Sequence, residues 1–348
     1  MTTRFATPDE VARWDDFLVQ NPDGGNVFQS MRLAESKRGN NWTPRYIFID
    51  TLAVTVLEKS VKVLGNYWYL PKGPGVLNVN QLLSLLQSLQ QFALAQGVFA
   101  VKIEPEVLDT TETKTQLLKA GLIKTNAVQP NSSTVVIDLA PSLDEIMADF
   151  NQKGRHAMHR AERDGVIAQA VELSEDNMRA MYELLAKTAA GRFESSLRSY
   201  QYYKNFWRNF AENDHGSLFF AFFDGELVAA AYSMYMGKKG LYKDGASVRE
   251  KVTYGASHRL QWEIIQWMKS RGVTSYDLCG APHSSAINDT SHSLYGVGRF
   301  KTSFNKHVKD YVGAYDLVVQ PAKYKTWQKI GQRITLSLSW RLKHQQWF

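Results

Sequence analysis

Residues 276–321 read YDLCGAPHSSAINDTSHSLYGVGRFKTSFNKHVKDYVGAYDLVVQP. The start of this stretch belongs to a predicted strand over Ser275–Leu278. After a loop, Arg299–Phe304 opens the last substantial element, and Tyr311–Val319 reads as a final strand. Just upstream, Ala256–Lys269 has helical spacing and is stopped by Gly272. Before it, a strand near Gly240–Lys243 leads into a loop over Asp244–Tyr254. Ser217–Phe223 and Glu226–Met236 are strands joined by Asp224-Gly225, a strong hairpin signal. Further back, Ser174–Ala189 begins at a Ser followed closely by acidic residues, as a helix should. A longer helix is predicted over Leu143–Asp164, stopped by Gly165.

The preceding residues use the same grammar. Arg45–Asp50 and Leu52–Leu57 are strands, and the cluster Pro71–Gly75 cannot continue regular structure. In Val79–Gln96 the residues Leu82, Leu83, Leu85, Leu86, Leu89 and Phe92 fall at helical spacing, and Gly97 stops the helix. Phe99–Glu104 alternates as a strand, Thr111–Lys119 is a helix, and Thr134–Leu139 reads as the last strand of this half. The expectation is therefore an α/β (α+β) chain of two mixed sheets flanked by helices. The break falls near Ala140–Ser142, giving domains 1–141 and 142–348.

Composition narrows the function. The chain has 348 residues, 44% of them apolar, which is ample for two cores. Cys279 is the sole cysteine, so neither an intrachain disulfide nor a multi-cysteine metal site is available. No secretory signal opens the sequence and no run of roughly 18 apolar residues is present, so a cytoplasmic protein is expected. The net charge of +7 fits a polyanionic partner. Phosphate-loop, zinc-helix and nucleophile-elbow motifs are absent, and Gly296-Val297-Gly298 lacks the third glycine of a dinucleotide fingerprint. No metal and no cofactor is expected.

Several stretches together resemble the FemABX family of peptidyltransferases. YDLCG followed by LYGVGRFKTSF and DYVGAYD resembles its carboxy-terminal signature. NVFQSMRLAESK (residues 26–37) and KGRHAMHRAERDGV (residues 153–166) resemble two further family motifs, although Leu33 or Ala34 stands where an aromatic residue is usual. The resemblance covers nearly the whole chain. It implies two GNAT-like acyltransferase domains, as in the short members that carry no helical-hairpin arm. The pyrophosphate-binding loop of CoA-dependent GNAT enzymes is not found. The implied activity is transfer of an amino acid from aminoacyl-tRNA to the stem-peptide amine of UDP-MurNAc-pentapeptide or its lipid-linked form, lipid II.

The same resemblance implies roles. Lys301, in the R-F-K motif, would steady the oxyanion of the tetrahedral intermediate, with Arg299 and Phe300 shaping the wall beside it. Lys37, Arg198 and Tyr202 match positions that bind the phosphates and sugar of the precursor, and Arg192 is a nearby alternative. On a helix Arg198 and Tyr202 would share a face. In LYKDGAS, Asp244 falls at a family tyrosine position and Tyr242 lies two residues earlier, where both would point to one face of a strand. Glu104, in KIEP, could take a proton from the attacking amine or act as a structural cap.

Arg155, His159 and Arg163 recur at i, i+4 and i+8, with Arg160 beside them, as a basic face for tRNA. The tail Lys323–Phe348 mixes Lys and Arg with Trp327, Trp340 and Trp347. That mixture suits the inner face of a membrane or RNA, or a helix packed on the domain. Two alternatives remain: an acyl-CoA-dependent N-acyltransferase, and a non-catalytic RNA-binding protein.

Overall fold

The structure is a computed structural model, and it describes residues 1–129, 132–190, 197–248, 253–335 and 347. The chain starts with β1 (Thr3–Phe5) and the short helices α1 (Pro8–Ala12), α2 (Trp14–Leu18) and α3 (Met31–Ser36). β2 (Thr43–Ile49), β3 (Leu52–Val61) and β4 (Gly65–Leu70) follow as an antiparallel meander. α4 (Val79–Ala95) then carries the chain to β5 (Val98–Ile103), which pairs with β4 in parallel. α5 (Thr111–Lys119) and β6 (Ile123–Lys124) complete this passage. Asn78 caps α4 by accepting the Gln81 N–H, and Leu82, Leu85, Leu86 and Leu89 bury one face against Ile47, Val54 and Val101. Each such leucine contributes roughly 1.5–3 kcal/mol by leaving water.

The second unit opens with β7 (Ser133–Asp138), α6 (Leu143–Asp149), α7 (Gln152–Arg163) and β8 (Ile167–Val171). It continues through α8 (Glu175–Ala189), α9 (Tyr200–Ala211), β9 (Gly216–Phe223), β10 (Glu226–Met236) and β11 (Lys239–Ser247). α10 (Ala256–Ser270) crosses to β12 (Ser275–Asp277), which pairs with β11 in parallel, as β5 does with β4. α11 (Tyr295–Lys301) and β13 (Val308–Asp310) close the passage. Leu260, Ile264, Ile265 and Met268 of α10 pack on Phe219, Ala229, Ala231 and Tyr276.

The predicted helix over Leu143–Asp164 is two helices. Phe150 takes an extended ψ of 144° with its ring buried, and Asn151 starts α7 by accepting the Gly154 N–H.

After β13 the chain returns to the first sheet as β14 (Tyr315–Val318), followed by α12 (Pro321–Thr326). Among the described residues the strand orders are β1-β2-β3-β4-β5-β14-β6 and β13-β7-β12-β11-β10-β9-β8. The two units are therefore Met1–Ser132 with Asp310–Phe348, and Ser133–Lys309. This differs from a single break at Ala140–Ser142. Thr134–Leu139 belongs to the second sheet, and the final strand belongs to the first. Asp316 lies opposite Lys102 in the β14–β5 register, and the buried side chains meet at 3.2 Å. A buried ammonium needs such a partner, and hydropathy within one strand cannot show where that partner lies. Trp327 and Trp347 are also buried in the first unit, so these tryptophans do not face a membrane. Trp340, Arg341 and Lys343 lie outside the described residues.

Candidate active site

Lys301 ends α11 with its side chain in the second unit's interior, 7% exposed. The helix lies close to the preceding loop because Gly298 presents no side chain: a Cβ there would come within 2.7 Å of Pro282. The ammonium donates to the carbonyl oxygens of Cys279 and Gly280, both at 2.7 Å. Those carbonyls converge because Cys279 takes the left-handed conformation, φ 58°. Asp277 pins that turn, accepting the Cys279 N–H at 2.6 Å and the Thr134 hydroxyl on one oxygen. Burial pulls the Lys301 ammonium below the ordinary lysine range, against the opposing pull of Cys279 and Asp277. The Tyr242 ring centre stands 5.9 Å from Nζ. The result is a fixed cation in a site of low polarity, an arrangement that stabilises developing negative charge.

The residues before Lys301 diverge. Arg299 is exposed, its guanidinium 5.8 Å from the Tyr295 ring centre. Phe300 packs inward on His258 and Phe304, at centroid distances of 5.0 and 5.2 Å. His258 bonds the Ser303 hydroxyl at 3.0 Å, and burial lowers its pKa to about 4.

Tyr242 and Asp244 do not share a face. β11 carries a β-bulge: Tyr242 lies opposite Ser233, Asp244 lies opposite Tyr232, and Lys243 is the extra residue between them. Tyr242 turns toward Lys301. A Cβ on Gly245 would overlap its hydroxyl, so Tyr242 can lie over the strand only because residue 245 is glycine. Burial, then the nearby Asp244, pushes the Tyr242 phenol well above its ordinary range. Asp244 instead accepts the Trp207 indole N–H at 3.0 Å and the Lys243 ammonium at 3.0 Å.

Arg198 and Tyr202 meet, though not as neighbours on one helix. Ser199 caps α9, so Arg198 precedes the helix and reaches back, its guanidinium 5.9 Å from the Tyr202 ring centre. Arg192 lies outside the described residues.

On α7, His159, Arg160 and Arg163 are exposed together with Lys153 and His156. Arg160 sits 5.2 Å from the Tyr254 ring centre and pairs with Asp164 at 3.2 Å. Arg155 leaves this face. Its guanidinium donates to the Phe150 carbonyl and, at 2.8 Å, to the Ala148 carbonyl, serving the end of α6.

In the first unit, Lys37 follows α3 and lines a pocket with Leu33, Trp42, Tyr69, Val128 and Gln129. Glu104 stands behind that wall, 3% exposed. It accepts the Tyr69 hydroxyl at 2.5 Å, the Gln129 N–H at 3.2 Å and the Val128 N–H. This is the geometry of a carboxylate that fixes a wall. Sequence reasoning did not single out Tyr69, Gln129, Asp277 or Thr134, which hold Glu104 and the Lys301 turn. Asp277 was visible as the second residue of the YDLCG stretch. The others carry no local signal. Among the described residues, no group of three or more His, Cys, Asp or Glu could hold a metal ion. No helix among them is long and apolar enough to cross a membrane.

Comparison with known proteins agrees with this picture. The sequence model of the FemAB family matches residues 121–224 and 223–331. The chain is 28% identical over 342 residues to the UDP-N-acetylmuramoylpentapeptide-lysine N(6)-alanyltransferase of Weissella viridescens, covering 91% of this chain and 96% of that protein. It is 22% identical over 417 residues to the lipid II:glycine glycyltransferase of Staphylococcus aureus (strain MRSA252), covering 94% and 97%. The crystal structure of FemX superposes with a TM-score of 0.76 over 95% of this chain and all of that one, at 20% identity.

Proposed function

The chain belongs to the FemAB family, and from that premise we propose that it transfers an amino acid from aminoacyl-tRNA to the stem-peptide amine of a peptidoglycan precursor. The acceptor is UDP-MurNAc-pentapeptide or lipid II, the precursors from which the two relatives take their names. The observation that carries the reading is the buried Lys301 ammonium, fixed by two carbonyls beside Tyr242. The acceptor amine attacks the ester carbonyl, a C–N bond forms, and the carbonyl oxygen becomes an oxyanion. Lys301 stabilises that charge. The C–O bond to the tRNA ribose then breaks, and the ribose oxygen takes up a proton as the amine loses one. The ester is already activated, so positioning and electrostatics suffice.

The remaining roles follow from the same premise. In the first unit, Lys37 and its pocket take phosphates of the acceptor. In the second unit, Arg198 and Tyr202 offer a guanidinium and a phenol suited to phosphate and sugar. Glu104 keeps the pocket wall in place. The exposed cations of α7, His159, Arg160 and Arg163, take the phosphates of the tRNA acceptor stem. Charged tRNA places the reaction in the cytoplasm. Where the acceptor is lipid-linked, contact with the membrane's inner face runs through exposed lysines such as Lys325 and Lys329.

The test is a mass-spectrometric transfer assay with a pool of charged tRNAs and each acceptor in turn. The expected result is a gain of one aminoacyl residue on UDP-MurNAc-pentapeptide or lipid II. Transfer from acyl-CoA instead, with neither precursor modified, would overturn the reading.

A further inference from the structure

Lys59, on β3, is 8% exposed, which is unusual for a lysine. Its ammonium stands 4.3 Å from the Trp42 ring centre and 4.9 Å from that of Trp347, and it donates to the Trp347 carbonyl oxygen. Two indole faces and a carbonyl form a cage suited to a desolvated cation. Trp347 is 288 residues from Lys59 in sequence, yet its ring is 5.5 Å from each of Trp42, Tyr67 and Trp327. Tyr67 lies opposite Lys59 in the β3–β4 register, so its ring and the cation share one side of the sheet.

Trp42 connects this cage to the Lys37 pocket. It lines the pocket, its N–H donates to the Lys37 carbonyl at 3.3 Å, and its ring lies 6.1 Å from that of Tyr69. Tyr69 in turn bonds Glu104. Trp42 is therefore packed between the cage and the wall.

We propose that Trp347 is a positioning residue for the Lys37 pocket, clamping Lys59 and Trp42 so that the pocket keeps the shape its ligand needs. The proposal rests on the reading above that this pocket takes the acceptor. Trp347→Ala keeps a carbonyl at residue 347 but removes the ring that seats it. Trp42 then loses packing on its far side and relaxes, and the pocket loses definition. Lys301 and the donor contacts are on other elements, so the effect falls on acceptor binding.

The experiment measures kcat and both KM values with UDP-MurNAc-pentapeptide as acceptor, for the unaltered protein and for Lys37→Ala, Trp347→Ala, Trp347→Phe and Lys59→Met. Trp347→Ala should raise the acceptor KM about tenfold, with kcat and the aminoacyl-tRNA KM within about twofold, and Trp347→Phe should recover most of the loss. An unchanged acceptor KM in folded Trp347→Ala overturns the proposal. So does a fall in kcat with both KM values raised, which is the signature of general damage. If Trp347→Ala does not fold, Lys59→Met decides, since it should raise the acceptor KM about threefold and no change overturns the proposal. An unchanged acceptor KM in Lys37→Ala means that the pocket is not the acceptor's. That outcome removes the reading of the site and this proposal with it, whereas a response to Lys37→Ala alone removes only the proposal.

Discussion

Lys301 shows both what one residue's chemistry can reveal and where that reading ends. Lys301→Met keeps the length and apolar stem of the side chain and removes a buried charge, so the fold should persist. Transfer should fall about a hundredfold or more in kcat, the usual effect of losing an oxyanion partner, while the melting temperature holds. Burial lowers the Lys301 pKa, so the cation is lost as pH rises through that lowered value. The alkaline limb of the kcat profile should accordingly begin below the ordinary lysine range. His258 gives a second titration. Its folded pKa of about 4 is below that of an unfolded histidine, so its stabilisation is complete above pH ~6.5 and is lost as pH falls toward 4. Urea midpoints should show a loss of about 2–3 kcal/mol over that interval, and His258→Gln should flatten it. Lys301 was legible because its motif is contiguous. Its partners were not, because the carbonyls that hold it belong to residues 22 and 21 positions earlier.

Among the elements, α7 and α11 are joined by close backbone approach. A Cβ on Gly154 would stand 2.5 Å from the Ser303 carbonyl oxygen, and backbone cannot rotate away as a side chain can. Asn151 adds two hydrogen bonds to the same turn, to Ser303 and Thr302. Gly154→Ala favours the isolated helix, yet it should destabilise the protein by about 1–3 kcal/mol and lower kcat by displacing the segment that follows Lys301. Thermal unfolding and the transfer assay, run on the same variant, check both. Most helices were legible from apolar spacing and caps, as Ser174 and Gly97 illustrate. The bulge at Lys243 was not, because a register slip exists only between two paired strands. It is what turns Tyr242 and Asp244 to opposite sides of β11.

In the whole molecule, two sheets of related grammar were readable from the alternation of strands, glycine stops and a hairpin turn. Their membership was not, since it is set by pairs such as Lys102 and Asp316, more than two hundred residues apart. A fragment of residues 1–141 should therefore fail to fold. It lacks β14, which leaves β5 and β6 without the strand between them and Lys102 without its buried counter-charge. Circular dichroism should show little cooperative unfolding for the fragment and a clear transition for the intact chain. The returning strand also fixes an order of events during synthesis. β6 leaves the ribosome about 190 residues before β14, a delay of roughly 10–40 s at ordinary translation rates. Within that interval the second sheet can close from a continuous stretch of chain while the first, although it begins earlier, waits with β5 as an open edge and β6 unpaired. The nascent protein should then mature from its middle outward, and holding the incomplete first sheet out of wrong pairings becomes a task for chaperones.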